Sequence, residues 1–115
     1  MSEKRVDTVR LQNIAQGFGR SAALMSAVEL GIFTAIYDGA NTTETVAAAV
    51  DIHPVNAERL LIMLTAMELV HRLDDGTYAN ADDVDRFLVE GKKSYAGPWI
   101  LFNKPQWDDW GRLTD

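Results

Sequence analysis

The fold is decided by residues 41–80, which read NTTETVAAAVDIHPVNAERLLIMLTAMELVHRLDDGTYAN. Asparagine and threonine oxygens at the start of this stretch can accept hydrogen bonds from the first N–H groups of a short helix that contains ETVAAAV. A turn follows at Asp51-Ile52-His53. Pro54 suits the first turn of a second helix, predicted over residues 54–69, because the N–H that proline lacks would be unpaired there. Two helices in this close succession predict a helix-turn-helix.

A wing is predicted directly after the two helices. The residues VHRLDDGTYAN read as two short strands joined through Asp75-Gly76, a dipeptide that favours tight hairpin turns. Asp82 or Asp83 is expected to cap one further short helix. The predicted fold class is therefore mainly α: a winged helix-turn-helix with a small two-stranded β-wing and extra N-terminal dimerisation helices.

The N-terminal part of the chain supplies the reason for predicting dimerisation. Residues 4–17 have apolar residues at three- and four-residue spacings, which indicates an amphipathic helix. The segment 21–37 is apolar almost all round, with Glu29 as its only charge. A helix of that kind is normally buried on all sides. The segment therefore predicts a homodimer interface, with a central core helix of a monomer as the alternative. The interface candidates are Leu24, Val28, Leu30, Ile32, Phe33 and Ile36.

The end of the chain is rich in aromatic side chains. All three tryptophans lie within residues 91–115, and Pro98 and Pro105 divide this segment into short helical pieces. Two interpretations remain open for these rings. They either complete the core or form one wall of a pocket for a flat apolar ligand, on which aromatic rings stack.

Length and composition limit the remaining possibilities. A chain of 115 residues buries about two-thirds of its unfolded surface, which is enough for one core. The chain contains no cysteine, so it has no disulfide or thiolate metal site, and a cytoplasmic location is expected. Its apolar runs are shorter than the ~20 residues of a membrane helix. Three segments are predicted: dimerisation helices over 1–40, a winged-helix unit over 41–90 and aromatic linker helices over 91–115.

The sequence contains no recognisable catalytic or cofactor-binding motif. It has no G-x-G-x-x-G after a strand and no phosphate-binding loop, so no cofactor is expected in this chain. His53 and His71 are the only histidines, and neither has a partner at the spacing of metal ligands. Both are expected to face solvent or to make local hydrogen bonds. We therefore assign no catalytic residue and no metal ligand.

Charge argues against a nucleic-acid partner, although helix-turn-helix units often bind DNA. The net charge is −6, and residues 74–90 hold six acidic side chains against one arginine. The predicted recognition helix offers Asn56 and Arg59 beside Glu58, and acidic residues occupy the tip of the wing. Phosphates would be repelled there. A stand-alone winged-helix DNA-binding transcriptional regulator is kept as the alternative function.

The runs ALMSAVELGIFTAI (23–36), HPVNAERLLIMLTAMELV (53–70) and HRLDDGTYAN (71–80) follow one another in a recognisable order. In this order they resemble the N-terminal dimerisation domain of plant-type O-methyltransferases and their bacterial relatives. ELGIF, the Arg-Leu-Leu core that begins at Arg59, and the later W-x-x-L at residues 110–113 carry the resemblance. It extends from about residue 8 to residue 115.

The resemblance implies a homodimer that binds a small aromatic or polyketide-like substrate together with a catalytic domain. In this family that domain is Rossmann-like, holds S-adenosylmethionine and contains the catalytic base, and its motifs are absent from these 115 residues. The chain is thus expected to be a fragment of such an enzyme or one half of a split enzyme, inactive alone. The substrate-pocket candidates implied by the resemblance are Phe18, Met25, Trp99, Phe102, Trp107 and Trp110.

Overall fold

The computed structural model describes residues 5–115. Within that range the chain forms eight α-helices, one 3-10 helix and one two-stranded sheet, which confirms the predicted mainly-α class with a small wing. The α-helices are α1 Val9–Ala15, α2 Gly17–Leu30, α3 Ile32–Tyr37, α4 Thr43–Val50, α5 Pro54–Ala66, α6 Asp82–Phe87, α7 Gly97–Leu101 and α8 Trp107–Gly111. The 3-10 helix is Lys104–Gln106, and the strands are β1 Val70–Arg72 and β2 Tyr78–Asn80.

The N-terminal helices differ from the prediction in two respects. The helix predicted over residues 4–17 is shorter, since α1 begins at Val9, and residue 4 lies outside the described range. The single helix predicted over 21–37 is wrong, because Gly31 separates α2 from α3. Gly31 has a φ of 79°, a left-handed conformation that costs glycine little and ends helices well.

The two helices of the helix-turn-helix begin with the threonine cap and the first-turn proline that the sequence predicts, and His53 adds a cap that was not predicted. The Thr45 N–H donates to Thr42 Oγ1 at 3.1 Å, and the Thr42 N–H donates to Thr45 Oγ1 at 2.9 Å, so the start of α4 has a reciprocal cap. At the start of α5, the Val55 N–H donates to His53 Nδ1 at 3.1 Å, ahead of Pro54 in the first turn. α5 ends at Ala66, three residues before the predicted end.

The wing and α6 follow the predicted order. β1 and β2 pair antiparallel with His71 opposite Ala79, and Asp75-Gly76 lies in the connecting turn. The expected cap of α6 is wrong: Ala81 is the cap residue and makes no side-chain cap bond. Asp82 and Asp83 lie one and two positions later, in the first turn, where the positive end of the helix dipole stabilises their negative charge.

The core lies where α3, α4, α5 and the wing meet. Phe33 and Ile32 are almost fully buried against Leu61 and Leu64 of α5 and Val46 of α4. Apolar burial of this kind contributes roughly 1.5–3 kcal/mol per large aliphatic side chain. The core therefore joins the N-terminal helices and the winged unit.

This core accounts for most of the apolar segment 21–37. Val28, Ile32, Phe33 and Ile36 are each at most 7% exposed within the single chain. They have almost no surface left uncovered in the single chain, and their place in a dimer interface stays a prediction. Of the six interface candidates, Leu30 is exposed and Leu24 is half-buried.

Candidate ligand groove

An open groove of about 610 Å³ lies between α2 and the C-terminal helices. On α2 its wall consists of Phe18, Ser21 and Met25, which share one face because their spacings are three and four residues. Trp107 and Trp110 lie three residues apart on α8 and form the opposite wall. The full lining is Phe18, Ser21, Met25, Asn103, Trp107, Trp110 and Gly111.

Four of the six predicted pocket residues line this groove: Phe18, Met25, Trp107 and Trp110. The other two do not. Trp99 on α7 is 74% exposed and Phe102, just after α7, is 73% exposed, and neither belongs to the groove lining. The structure thus brings together the α2 and α8 candidates and leaves the two around α7 outside.

Sequence reasoning missed three lining residues, Ser21, Asn103 and Gly111. The spacing from Phe18 to Met25 on one helix face could have indicated Ser21. Asn103 lies between α7 and the 3-10 helix, and Gly111 lies at the end of α8. Their places depend on how these short helices pack, which no local pattern specifies.

A lysine–glutamate pair joins the C-terminal segment to α2 beside the groove. Lys104 Nζ donates to Glu29 Oε1, and both side chains are about half exposed. Exposed pairs of this kind contribute up to about 1 kcal/mol, so this pair adds little to the free energy of unfolding. A smaller depression of about 280 Å³ beside the groove shares Met25 and Trp107 and adds Lys104 and Asp108.

The groove can hold and orient an apolar ligand, but its lining has no group suited to proton transfer. Its polar side chains are the hydroxyl of Ser21 and the amide of Asn103. Two groups have shifted pKa values. Partial burial raises the pKa of Tyr95, and the nearby negative charge of Glu90 raises it further. Hydrogen bonds from Thr77 lower the pKa of Asp75. Neither Tyr95 nor Asp75 lines the groove.

The groove lining does not fit S-adenosylmethionine. The ribose hydroxyls of a nucleoside are typically held by a carboxylate, and the seven groove residues include no carboxylate. In the part of the chain that the structure describes, no group of three or more His, Cys, Asp or Glu could hold a metal ion.

Residues 5–115 also contain no helix long and apolar enough to cross a membrane.

The winged unit presents the face that the sequence predicts. Asn56, Glu58 and Arg59 are exposed on α5, and Asp74 and Asp75 are exposed at the tip of the wing. The recognition-helix position thus carries one positive and one negative charge beside an acidic wing. This charge distribution is unsuited to phosphate contacts.

A second groove of about 600 Å³ lies beside another face of α2, and we call it the α2–α5 groove. Leu24 on α2 and Met63 and Met67 at the end of α5 contribute apolar surface, and Arg20 and Glu68 contribute charge. The full lining is Gln16, Arg20, Ser21, Leu24, Met63, Ala66, Met67, Glu68 and Leu69. α2 is therefore a wall of both grooves.

Residues 12–90 match the family model of the O-methyltransferase dimerisation domain, and this chain belongs to that family. The match includes part of α1, all of α2 and α3, the winged unit and α6. It confirms the family resemblance drawn from the sequence and favours that reading over a DNA-binding regulator.

Curated relatives agree with the family match. The chain is 35% identical over 106 residues to the N,N-dimethyltransferase OxyT of Streptomyces rimosus, covering 90% of this chain and 30% of OxyT. It is 33% identical over 103 residues to the tetracenomycin polyketide synthesis 8-O-methyl transferase TcmO of Streptomyces glaucescens, covering 89% of this chain and 30% of TcmO. The chain thus spans under a third of the length of these relatives.

A solved structure shares the fold. PigF with SAH, S-adenosyl-L-homocysteine, is 25% identical and superposes with a TM-score of 0.83, over 95% of this chain and 36% of PigF. The arrangement of helices and wing described above therefore recurs in part of a longer protein that was solved with SAH.

Proposed function

We propose that this chain is the dimerisation and substrate-pocket-lining part of an S-adenosylmethionine-dependent methyltransferase that acts on a small flat aromatic or polyketide-like molecule. The observation that carries the proposal is the groove between α2 and α8, in which Phe18, Met25, Trp107 and Trp110 face one space. O-methylation is the reaction we favour, from the family match.

The lining suits a planar apolar substrate. Phe18 is 69% exposed and Trp110 is 67% exposed, so both rings have large uncovered surfaces at the groove. Aromatic pairs gain about 0.5–1.5 kcal/mol beyond the burial of their area when the rings stack offset or edge-on. The name of TcmO, a polyketide methyltransferase, supports a substrate of this class.

In this proposal the chain binds and orients the substrate, and a catalytic domain performs the transfer. S-adenosylmethionine, when bound in that domain, supplies the methyl group. The residues of the groove exclude water and hold the acceptor group in one position, which reduces the entropy cost of reaching the transition state. The proton of the acceptor passes to a base outside the described groove, because its polar residues, Ser21 and Asn103, are not bases at neutral pH.

Homodimer formation is the second part of the proposal. α1 has no buried residue, and its Val9, Leu11 and Ile14 are each more than half exposed. Such a helix gains stability when a second surface covers it. The family match to a dimerisation domain supports a second copy as that surface. The cytoplasmic location expected from the cysteine-free composition stays a prediction.

Two measurements on the purified chain test the proposal. Sedimentation at tens of micromolar should give a dimer, and a chain that remains monomeric would overturn the dimerisation part. Titration with a hydroxynaphthoate should change the fluorescence of Trp107 and Trp110 with saturation. A titration without any saturable change would count against the pocket-lining part.

A further inference from the structure

The smaller depression beside the groove, which we call the polar depression, shares two of its walls with the groove. Met25 of α2 and Trp107 of α8 line both spaces, so the two spaces meet at these side chains. The polar depression has a volume of about 280 Å³, against about 610 Å³ for the groove. A ligand whose ring system lies in the groove can therefore extend one small substituent into the polar depression.

Charge distinguishes the polar depression from the groove. The seven residues that line the groove include no charged side chain. The polar depression has two such side chains, and its full lining is Ala22, Met25, Ser26, Lys104, Pro105, Trp107 and Asp108. Charge is therefore the property by which this space can select a substituent.

Only one of these two charges has a counter-ion within the residues that the structure describes. Lys104 Nζ donates to Glu29 Oε1 on α2, so its positive charge is already paired. Across residues 5–115, Asp108 has no ion pair and its carboxylate accepts no hydrogen bond. The three side chains carry two negative charges and one positive charge. A ligand in the polar depression therefore meets a net negative charge.

Trp107 adds a second attraction for a positive charge. It is 38% exposed, and it lines both the groove and the polar depression directly before Asp108 in the sequence. The face of an indole ring attracts cations more strongly than that of any other aromatic side chain. An ammonium group in this space gains from both side chains. A carboxylate would instead be repelled by Asp108 and would have to compete with Glu29 for Lys104.

We propose that the polar depression binds a protonated amino group of the substrate, with Asp108 as its counter-ion and Trp107 as its cation–π partner, while the aromatic body of the substrate lies in the groove. This inference rests on the proposed function and narrows its substrate class to aromatic molecules that carry an amine. The amine is a recognition group and not the methyl acceptor, because a protonated amine has no lone pair with which to accept a methyl group.

Three ligands of similar size and different charge test the inference. Naphthylmethylamine is positively charged at neutral pH, naphthalenemethanol is neutral and naphthoate is negatively charged. Isothermal titration of the purified chain measures the dissociation constant of each ligand in the same low-salt buffer, because salt screens exposed charges.

Two variants separate the role of Asp108 from that of the overall charge. Asp108→Asn removes the carboxylate of the polar depression and keeps the size of the side chain. Asp109→Asn is the matched control, since Asp109 is the next residue on α8, lines neither space and has Arg112 as its partner. Both variants change the net charge equally. Unchanged binding of the neutral alcohol by both variants shows that the groove is intact.

The amine should bind about threefold to tenfold more tightly than the alcohol, and naphthoate should bind most weakly. Asp108→Asn should remove most of this preference, and Asp109→Asn should retain it. If the amine binds no more tightly than the alcohol, or if both variants lose the preference equally, this inference is overturned and the proposed function stands. Tightest binding of naphthoate would also overturn it, in favour of Lys104. If none of the three ligands binds with saturation, the pocket-lining part of the proposed function fails as well.

Discussion

The side-chain amide of Asn80 donates a 2.9 Å hydrogen bond to the main-chain oxygen of Phe33, which lies 47 residues earlier in the chain. The same nitrogen donates to Asp85 Oδ1 at 2.9 Å. One residue at the end of β2 thereby joins α3, the wing and α6. These two bonds connect the wing directly to α3 in the N-terminal half of the chain.

Asn80→Asp should destabilise the fold by about 1–3 kcal/mol, because it removes the donor and places a carboxylate beside the Phe33 oxygen and Asp85. Urea unfolding measures the change. Asn56→Asp on the exposed face of α5 is the matched control and should change the free energy of unfolding by less than about 0.5 kcal/mol. Equal effects of the two variants would contradict the role assigned to Asn80.

Gly31→Ala should cost about 1–2 kcal/mol, because alanine would have to adopt the positive φ between α2 and α3. No atom within 4 Å opposes a Cβ at this position, so the cost comes from the backbone conformation alone. Gly17→Ala is the control, since Gly17 is helical and also has open space around it. It should be neutral or stabilise by up to about 1 kcal/mol. Thermal unfolding of both variants distinguishes the two effects.

Thr77→Val should raise the pKa of Asp75 toward its ordinary value. The Thr77 side chain and then its main-chain N–H are the main causes that lower this pKa. Because folding lowers the pKa of Asp75, this carboxylate contributes to the free energy of unfolding at pH values above its unfolded pKa. That contribution is lost as the pH falls through the folded pKa of Asp75. NMR titration of the side-chain carboxyl carbon measures the shift. The control variant Thr114→Val should leave the titration curve of the Asp75 carboxyl carbon unchanged.

Trp110→Ala should weaken binding of a hydroxynaphthoate about tenfold, because it removes one aromatic wall of the groove. Trp99→Ala is the matched control, since Trp99 is 74% exposed and lies outside the groove lining. Isothermal titration of both variants gives the comparison. Equal losses would show that the ligand does not occupy the groove between α2 and α8.

The sequence predicted the winged unit well because its boundaries depend on local chemistry. Pro54 begins α5, and Asp75-Gly76 turns the hairpin, as their backbone preferences require. The break at Gly31 was missed because a single glycine in an apolar helical pattern is tolerated. Its positive φ redirects the chain so that Ile32 and Phe33 enter the core, and that requirement arises only in the tertiary structure.

The groove residues were implied by the family resemblance, and the candidates that line the groove are those that share a regular helix face. Phe18 and Met25 are seven residues apart on α2, and Trp107 and Trp110 are three apart on α8. Trp99 has the same side-chain chemistry but lies on α7, which also packs on α2, and its ring is outside the groove lining. Aromatic content therefore indicated the chemistry of the groove walls, while the placement of each ring depended on packing between short helices.

The position of α2 between the two grooves has a thermodynamic consequence. Phe18 and Met25 contribute to one groove, and Arg20 and Leu24 contribute to the other. If the occupant of either groove shifts this helix, the affinity of the other site changes by some factor, and linkage requires that factor to be the same in both directions. A compound that binds beside the tryptophans would then alter the affinity of the α2–α5 groove for its own occupant, and filling of the α2–α5 groove would alter the affinity for the compound.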